Sequence, residues 1–199
     1  MRRYILLVEF LLALLTLSIP SLTTNADLTL IRVDPSQTIV PEVGQSFSVN
    51  VSVVGVSRLA GWSFELYYSN AILNGTEVVE GGFLKSGGNT FMIINFTNNY
   101  NDTHGRLLAS CVLTGVGVKG VDGNGVLATV KFKTRIDGGP SILKLSNTKL
   151  SDPNASPITH GTVDGMITVV PEFSLAVIVI FLAIASFLVA QPFRIAKSH

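Results

Sequence analysis

The side chains of this 199-residue chain that could carry chemistry are few and scattered. His104 and His160 lie far apart in polar segments, without the close spacing of zinc ligands, and we expect both to be exposed loop histidines. Glu77 and Glu80 precede a glycine turn, where solvated carboxylates are ordinary. The sequence has no phosphate loop, nucleophile elbow or dinucleotide fingerprint. It therefore predicts a protein that is not an enzyme.

Two further features could suggest reactivity or metal binding. The stretch from Asp122 to Val126 reads DGNGV, but Val126 and Lys133 stand at the fifth and twelfth places, where a calcium loop needs oxygen ligands. Asp-Gly and Asn-Gly instead favour a hairpin or bulge. Cys111, the single cysteine, lies in the apolar run LLASCVLT, which is typical of a small buried hydrophobe. We predict no metal site, no cofactor and no internal disulfide.

Asn-x-Ser/Thr triplets are the one modification signal that recurs. They indicate an exported, N-glycosylated surface. Two of them fall within predicted strands and are accessible only if the asparagine faces solvent. The five asparagines are Asn50, Asn74, Asn95, Asn101 and Asn154.

Both ends of the chain have the composition of export and anchoring signals. Arg2 and Arg3 precede a mostly apolar stretch that leads to Ala26, which predicts a signal peptide over residues 1–26. Residues 173–190 are 18 residues without a charge, or roughly 27 Å of helix, which favours a single membrane span over a fully buried helix. The short basic tail, 191–199, predicts a cytoplasmic C-terminus and an extracellular middle.

The middle, residues 27–170, is long enough for one domain. Its ten Lys and Arg residues against eleven Asp and Glu residues leave no basic patch for nucleic acid. Short β-branched and aromatic runs alternate with turn residues, and no helical period of useful length appears, which predicts an antiparallel β-sandwich. The candidate strands are 28–33, 46–54, 59–68, 90–97, 106–114, 126–134, 141–146 and 166–170, with short ones near Thr148 and Thr162.

Alternation within the strands assigns their faces. Trp62, Phe64, Leu66 and Tyr68 fall on one side of their strand, and we assign that aromatic side to the core. The same rule puts Phe47, Val49, Val51 and Val53 inside and Asn50 outside, and puts Val126, Ala128, Val130 and Phe132 opposite Leu127, Thr129, Lys131 and Lys133. The run RLLASCVLT is apolar on both sides, which indicates either a central strand or an apolar docking surface.

These runs, taken in order, resemble a cohesin domain, an exported module of cellulosome scaffolds and of many bacterial and archaeal surface proteins. The matching stretches are VGQSFSVNVSV (43–53), LAGWSFELYY (59–68), GGFLKSGG (81–88), GNGVLATVKFK (123–133), LKLSNTKLSD (143–152) and TVDGMITV (162–169). The resemblance implies a nine-stranded jelly-roll sandwich over residues 27–170.

The resemblance also implies a partner. Cohesins bind dockerins, small modules with two calcium-loaded EF-hand-like loops, so calcium would belong to the partner alone. The face used in the family includes the outward side of the strand matching LAGWSFELYY, which here carries Ser63, Glu65 and Tyr67. Gly61 and Ser63 stand where tight dockerin binders place Asn and Asp.

Pro171, Glu172 and Phe173, followed by the apolar run and a basic tail, resemble the PEF-CTERM sorting signal of archaeal surface proteins. That resemblance implies cleavage near the tripeptide and transfer to a lipid. Alternatively, Pro171 and Glu172 only mark the membrane boundary, where proline ends a strand and a carboxylate suits a helix N-terminus.

Two functions follow from these observations. The first is a non-catalytic, membrane-anchored surface module that binds a dockerin-bearing or other surface protein, or a polysaccharide, through Ser63, Glu65 and Tyr67. The alternative is a glycosylated structural or adhesive component of the cell envelope without a discrete ligand, in which glycans on the same face would block docking.

Overall fold

The computed structural model describes residues 28–135, 139–170 and 175–190 of the chain. These ranges contain eleven strands and two helices. The strands are β1 Leu30–Asp34, β2 Gln37–Val40, β3 Ser46–Leu59, β4 Gly61–Ser69, β5 Leu73–Glu80, β6 Thr90–Thr97, β7 His104–Leu113, β8 Val121–Thr134, β9 Gly139–Ser151, β10 Gly161–Val163 and β11 Gly165–Val169; the helices are α1 Gly82–Lys85 and α2 Leu175–Ala190.

The strands form two sheets that enclose one hydrophobic core, which confirms the predicted β-sandwich. The five-stranded sheet has the order β10-β1-β3-β8-β5, and the six-stranded sheet has the order β2-β11-β9-β4-β7-β6. Most neighbours are antiparallel, but β1 pairs with β10 and β2 with β11 in parallel. The prediction of nine strands was wrong, since eleven occur within the described ranges.

The extra strands arise where the chain passes from one sheet to the other. β1 belongs to the five-stranded sheet and β2 to the six-stranded one, and Pro35 lies between them. Proline has no N–H to donate, so it interrupts the ladder at this switch. β10 and β11 repeat the crossing around Asp164, whose carboxylate accepts a 2.8 Å hydrogen bond from the N–H of Leu145.

β5 was absent from the predicted strands because its Asn74-Gly75 pair suggests a turn. The structure uses Gly75 differently. A Cβ built on it would lie 1.7 Å from Cζ of the Phe96 ring. The Gly75 N–H also donates to Oδ1 of Asn98 (2.7 Å), and Nδ2 of Asn98 donates to the Gly75 carbonyl (2.9 Å). The glycine therefore permits a close approach between β5 and the end of β6.

The core holds the side chains that alternation placed there. Trp62, Phe64, Leu66 and Tyr68 are buried, as are Val49, Val51 and Val53. Leu127 departs from the predicted alternation, since it is buried together with Ala128 and Val130 although it was placed on the face opposite to them. The pairing of β3 with β8 shifts register between Val51 and Ser52, opposite Leu127. A bulge of this kind turns the extra residue toward the opposite face.

The chain ends are described only in part. α2 has no charged residue among its 16 residues, and Ser186 is its one polar residue. Among the described residues, none of the helices combines the length and the apolar character needed to cross a membrane. The predicted signal peptide (1–26), the Pro171, Glu172 and Phe173 motif and the tail (191–199) lie outside the described residues.

Candidate binding face

Four neighbouring strands of the six-stranded sheet, β6, β7, β4 and β9, present one continuous outward surface, which we call the candidate face. Because side chains alternate along each strand, the register fixes which residues share it. Its rows across the strands are Phe91, Val112, Gly61 and Ser151; Ile93, Ser110, Ser63 and Lys149; Asn95, Leu108, Glu65 and Ser146; and Thr97, Arg106, Tyr67 and Lys144. The predicted Ser63, Glu65 and Tyr67 thus lie together, at its centre.

Glu65 organises the polar half of the candidate face. Its carboxylate accepts hydrogen bonds from the Tyr67 hydroxyl (2.7 Å) and from Nδ2 of Asn147 (3.1 Å), and Nη1 of Arg106 lies 3.9 Å from its other oxygen. The Glu65 side chain is only 13% exposed, so these contacts compensate the charge where water is partly excluded. The bond to Glu65, followed by desolvation, raises the pKa of Tyr67 above its usual 10.0.

Asn147 reaches Glu65 because β9 is irregular beside β4. The pairing of the two strands shifts register between Ser63 and Glu65, and Asn147 adopts a left-handed backbone conformation with φ of 47°. Asparagine tolerates this region better than most residues, and the bulge re-aims its amide onto the carboxylate.

Tyr100 completes the polar half from the loop between β6 and β7. The Arg106 guanidinium carbon lies 4.2 Å from the centre of the Tyr100 ring, a cation–π distance. The rings of Tyr67 and Tyr100 meet edge to face with centroids 5.7 Å apart. A depression of about 290 Å³ beside them is lined by Tyr67, Asn101, His104, Lys144 and Ser146. This end therefore offers aromatic edges and cationic groups together.

The other half of the candidate face is an apolar depression of about 330 Å³. Phe91, Ile93 and Val112 line it and are 58%, 54% and 45% exposed. Between its apolar side chains the Ser110 hydroxyl donates a 2.7 Å hydrogen bond to the Ser63 hydroxyl, so the two serines are paired with each other. Lys149 lines the opposite wall. Large apolar side chains exposed side by side are typical of an interaction surface.

The sequence did not identify most of this surface. Phe91 and Ile93 were missed because TFMIINFT in β6 is apolar on both faces, so alternation could not show which side faces solvent. RLLASCVLT forms most of β7, next to the edge strand β6. Its inward side chains enter the core and its outward Leu108 and Val112 lie on the candidate face, so its use as a docking surface stays a prediction; the inward residues are Leu107, Ala109, Cys111 and Leu113. Arg106, Tyr100 and Asn147 carried no sequence signal of their own.

The five sequon asparagines lie on both sheets of the sandwich and in two loops. Asn95 is exposed and lies on the candidate face, in register with Leu108. Asn101 and Asn154 are exposed in loops. Asn50 and Asn74 are half-buried on the five-stranded sheet; Asn50 faces outward as predicted and accepts a 2.8 Å hydrogen bond from Thr129.

The residues considered for catalysis or metal binding have structural contacts instead. His104 is exposed as predicted, but His160 is half-buried, and its ring nitrogens lie 2.7 Å from the Ile158 carbonyl and 3.0 Å from the Thr148 hydroxyl, which corrects the prediction. Glu77 is exposed and pairs with Lys131 at 2.7 Å. Glu80 is more enclosed than predicted, with a side chain 13% exposed.

Cys111 is buried, as its apolar surroundings predicted, and forms no disulfide among the described residues. Its Sγ lies 3.4 Å from a carboxylate oxygen of Glu80. Burial, reinforced by the nearby negative charge, raises the pKa of the thiol to about 12. Because the thiolate is the reactive form, this site suits packing rather than nucleophilic chemistry.

The DGNGV stretch is part of the long strand β8 and not a hairpin, but its pairing with β3 shifts register between Val53 and Val56 and again between Val56 and Leu59, as the predicted alternative of a bulge requires. Asp122 accepts hydrogen bonds from the Arg58 N–H (2.8 Å) and the Ser57 hydroxyl (2.9 Å), and Oδ1 of Asn124 accepts one from the Gly55 N–H (2.6 Å). These side chains fasten the irregular end of β3. In the described ranges, no group of three or more His, Cys, Asp or Glu side chains could hold a metal ion.

Comparison with known families gives one match, to the model described as Cohesin domain, over residues 32–169. A search of curated proteins found no match. Among solved structures, a non-cellulosomal cohesin from the archaeon Archaeoglobus fulgidus is 20% identical and superposes with a TM-score of 0.57, covering 71% of this chain and 91% of its own.

Two bacterial structures are similar to the same extent. One is a type I cohesin–dockerin complex from Clostridium thermocellum, at 17% identity and a TM-score of 0.60, covering 72% of this chain and 100% of its own. The other is a type II cohesin domain from the cellulosome of Acetivibrio cellulolyticus, at 17% identity and a TM-score of 0.58, covering 70% and 95%. At these identities the likeness describes the fold.

Proposed function

Because this chain belongs to the cohesin family, we propose that it is a non-catalytic surface module that binds a dockerin-type partner protein through the candidate face. One observation carries the proposal: an exposed apolar depression and a hydrogen-bonded polar cluster lie side by side on the flat outer surface of one sheet. Recognition needs this combination, since apolar burial supplies affinity and polar groups select the partner.

The apolar half is the anchor in this proposal. Phe91, Ile93 and Val112 line the depression, and Gly61 carries no side chain to fill it. One apolar side chain of the partner would enter it and displace water from all three. Anchors of this kind supply a large share of binding energy at protein interfaces.

In this proposal the polar half sets the orientation of the bound partner. Tyr67 and Asn147 hold the Glu65 carboxylate in place, so little side-chain entropy is lost when it meets a donor from the partner. Arg106 stacks on Tyr100, and Lys144 and Lys149 border the face. These positive charges would attract a partner that carries exposed carboxylates beside an apolar helix. A dockerin, with its two acidic calcium loops, is a partner of this kind.

Binding of a purified dockerin module to the full chain in detergent, in calcium and again in chelator, tests the proposal. Retention in calcium that chelation abolishes supports it, because calcium folds the partner and not this chain. No retention in either condition, with modules from several exported proteins of the same organism, contradicts it. A polysaccharide ligand would instead bind equally with and without chelator.

The alternative function is a glycosylated structural or adhesive component of the cell envelope. One observation favours it: Asn95, a sequon asparagine, is exposed on the candidate face itself. If the mature protein is glycosylated there at every copy and no partner is found, the envelope role accounts better for the exposed surface.

We place the sandwich outside the cell and propose that the chain is anchored there. The supports are the signal-like residues 1–26, the Pro171, Glu172 and Phe173 motif, the apolar residues up to Ala190 and the basic tail. Intact mass of the protein extracted from its native membrane tests this, because it reports both terminal cuts, any lipid and the glycans. A mass equal to that of residues 1–199 contradicts export with processing.

A further inference from the structure

We propose that Asn95 is a glycosylation site whose glycan closes the candidate face to partners, so that glycosylation and docking exclude each other. The docking half of this inference rests on the proposed function, whereas the modification itself does not. It assigns this role to Asn95 and not to Asn50 or Asn74, the sequon asparagines of the opposite sheet.

Position is the first argument. Asn95 lies on β6 in register with Leu108, which is in turn in register with Glu65. Two strand spacings amount to roughly 10 Å, and Ile93, two residues away along β6, is about 7 Å distant. Asn95 therefore lies next to both halves of the candidate face.

Asn95 lies within the area that a protein partner on the candidate face would cover. A standard interface covers about 800 Å² on each partner, equivalent to a circle of about 16 Å radius. A footprint of that size centred between Ile93 and Glu65 includes Asn95. A bulky, hydrated glycan on its amide and a protein partner would occupy the same space.

Accessibility is the second argument. β6 is the outermost strand of the six-stranded sheet, and Asn95 is exposed there. Within the part of the chain that the structure describes, its Nδ2 donates no hydrogen bond, and its Oδ1 accepts only a long one, 3.4 Å, from the Thr97 hydroxyl of the same sequon. The amide that would be modified is therefore not tied to the fold.

The sequons of the five-stranded sheet differ in both respects. Asn50 lies on the central strand β3, is half-buried and accepts a hydrogen bond from Thr129, and Ser52 of its triplet is buried. Asn74 is half-buried beside Gly75, which is held by Asn98 and covered by Phe96. Both lie on the opposite side of the sandwich, where a glycan would leave the candidate face open.

The transfer is a simple substitution. The co-reactant is a phosphate-activated, lipid-linked oligosaccharide outside the cell. Nδ2 of Asn95 forms a bond to the anomeric carbon of the first sugar and loses one proton, while the bond from that carbon to the phosphate oxygen breaks and the lipid phosphate leaves with its electron pair. No oxidant or reductant takes part.

The test uses the full chain produced in its native host, with glycopeptide mass spectrometry for occupancy and a calcium-loaded dockerin module as the binding probe. Four variants are compared with the wild type: Asn95→Gln and Thr97→Ala, which remove the sequon; Thr97→Ser, which keeps it; and Asn74→Gln, which removes a sequon on the opposite sheet.

We expect a glycan on Asn95 in the wild type and in the Thr97→Ser and Asn74→Gln variants, with probe binding at least about tenfold weaker than in the Asn95→Gln and Thr97→Ala variants. An unmodified Asn95 in the mature wild type overturns the inference and leaves the proposed function standing. Equal binding by glycosylated and unglycosylated forms also overturns it. If no form binds dockerin modules from several exported proteins, the proposed function fails and the docking half of this inference fails with it, while the mass spectra still decide the modification.

Discussion

The Tyr67 hydroxyl donates a 2.7 Å hydrogen bond to the Glu65 carboxylate two residues earlier on the same strand. Both side chains point outward from β4, and the bond joins the two polar groups at the centre of the candidate face. It holds the phenol in its neutral form, because a phenolate would face the carboxylate as a like charge. The pair is therefore a defined electrostatic unit that can be measured.

We expect Glu65→Gln to lower the pKa of Tyr67 toward 10.0. The hydrogen bond to Glu65 is the largest cause of the raised pKa, and a neutral amide removes both that bond to a charge and the repulsion of the phenolate. Ultraviolet titration of phenolate absorbance follows the change, with Tyr67→Phe as the control that removes this transition. An unchanged titration in Glu65→Gln would show that desolvation, and not the carboxylate, governs the pKa.

The apolar half of the candidate face gives a docking prediction. Ile93→Asp places a carboxylate in the depression lined by Phe91 and Val112, and burying it under a partner costs solvation free energy. We expect dockerin affinity to fall about tenfold or more with little change in melting temperature, since Ile93 is 54% exposed. Calorimetric titration measures the affinity.

Ile39→Asp is the matched control for that substitution. Ile39 is 71% exposed on β2, at the opposite edge of the same sheet, so it tests an added charge away from the candidate face. Its affinity should stay near that of the wild type. Equal losses of dockerin affinity in Ile93→Asp and Ile39→Asp would mean that binding does not use the β6 side of the sheet.

Alternation along strands was enough to predict the sandwich and its core, because burial on one side leaves a period of two in sequences such as WSFELYY. It failed where local geometry breaks the period. Leu127 was misassigned at a bulge, and β5 was overlooked because Gly75 serves a close approach that depends on a ring about twenty residues later in the chain.

The candidate face was predictable only in its centre. Ser63, Glu65 and Tyr67 follow from the orientation of one strand, whereas the apolar half needs the register that sets β6 beside β7 and β7 beside β4. The sequence around each residue does not indicate that Phe91 and Val112 are neighbours, or that Asn147 reaches Glu65 across a bulge. Long-range pairing brings these groups together, and a single sequence does not record it.

The Cys111 thiol predicts a specific loss of stability in alkali. Burial raises its pKa to about 12 from 9.0. Between these values the unfolded chain loses the thiol proton while the folded protein keeps it, so the stabilisation from this group is complete below pH 9.0 and disappears as the pH rises toward 12.

Cys111→Ala removes that dependence. We expect the variant to be less stable at neutral pH, because it leaves a small void, but to lose less free energy of unfolding than the wild type above pH 9.0. Urea unfolding under reducing conditions at a series of pH values measures both. Parallel curves for the two proteins would show that the thiol does not titrate in this way.

Gly75 offers the sharpest test of the core. A Cβ at this position would lie 1.7 Å from Cζ of Phe96, and the ring cannot move freely because it also meets Tyr68 edge to face with centroids 6.3 Å apart. We expect Gly75→Ala to lower the free energy of unfolding by about 1–3 kcal/mol, the usual cost of overpacking.

Gly82→Ala is the matched control, since nothing lies within 4 Å of its Cβ position. Adding Phe96→Leu to Gly75→Ala should recover part of the loss, and a double-mutant cycle measures this coupling. Strictly additive effects would mean that the two residues do not share the space.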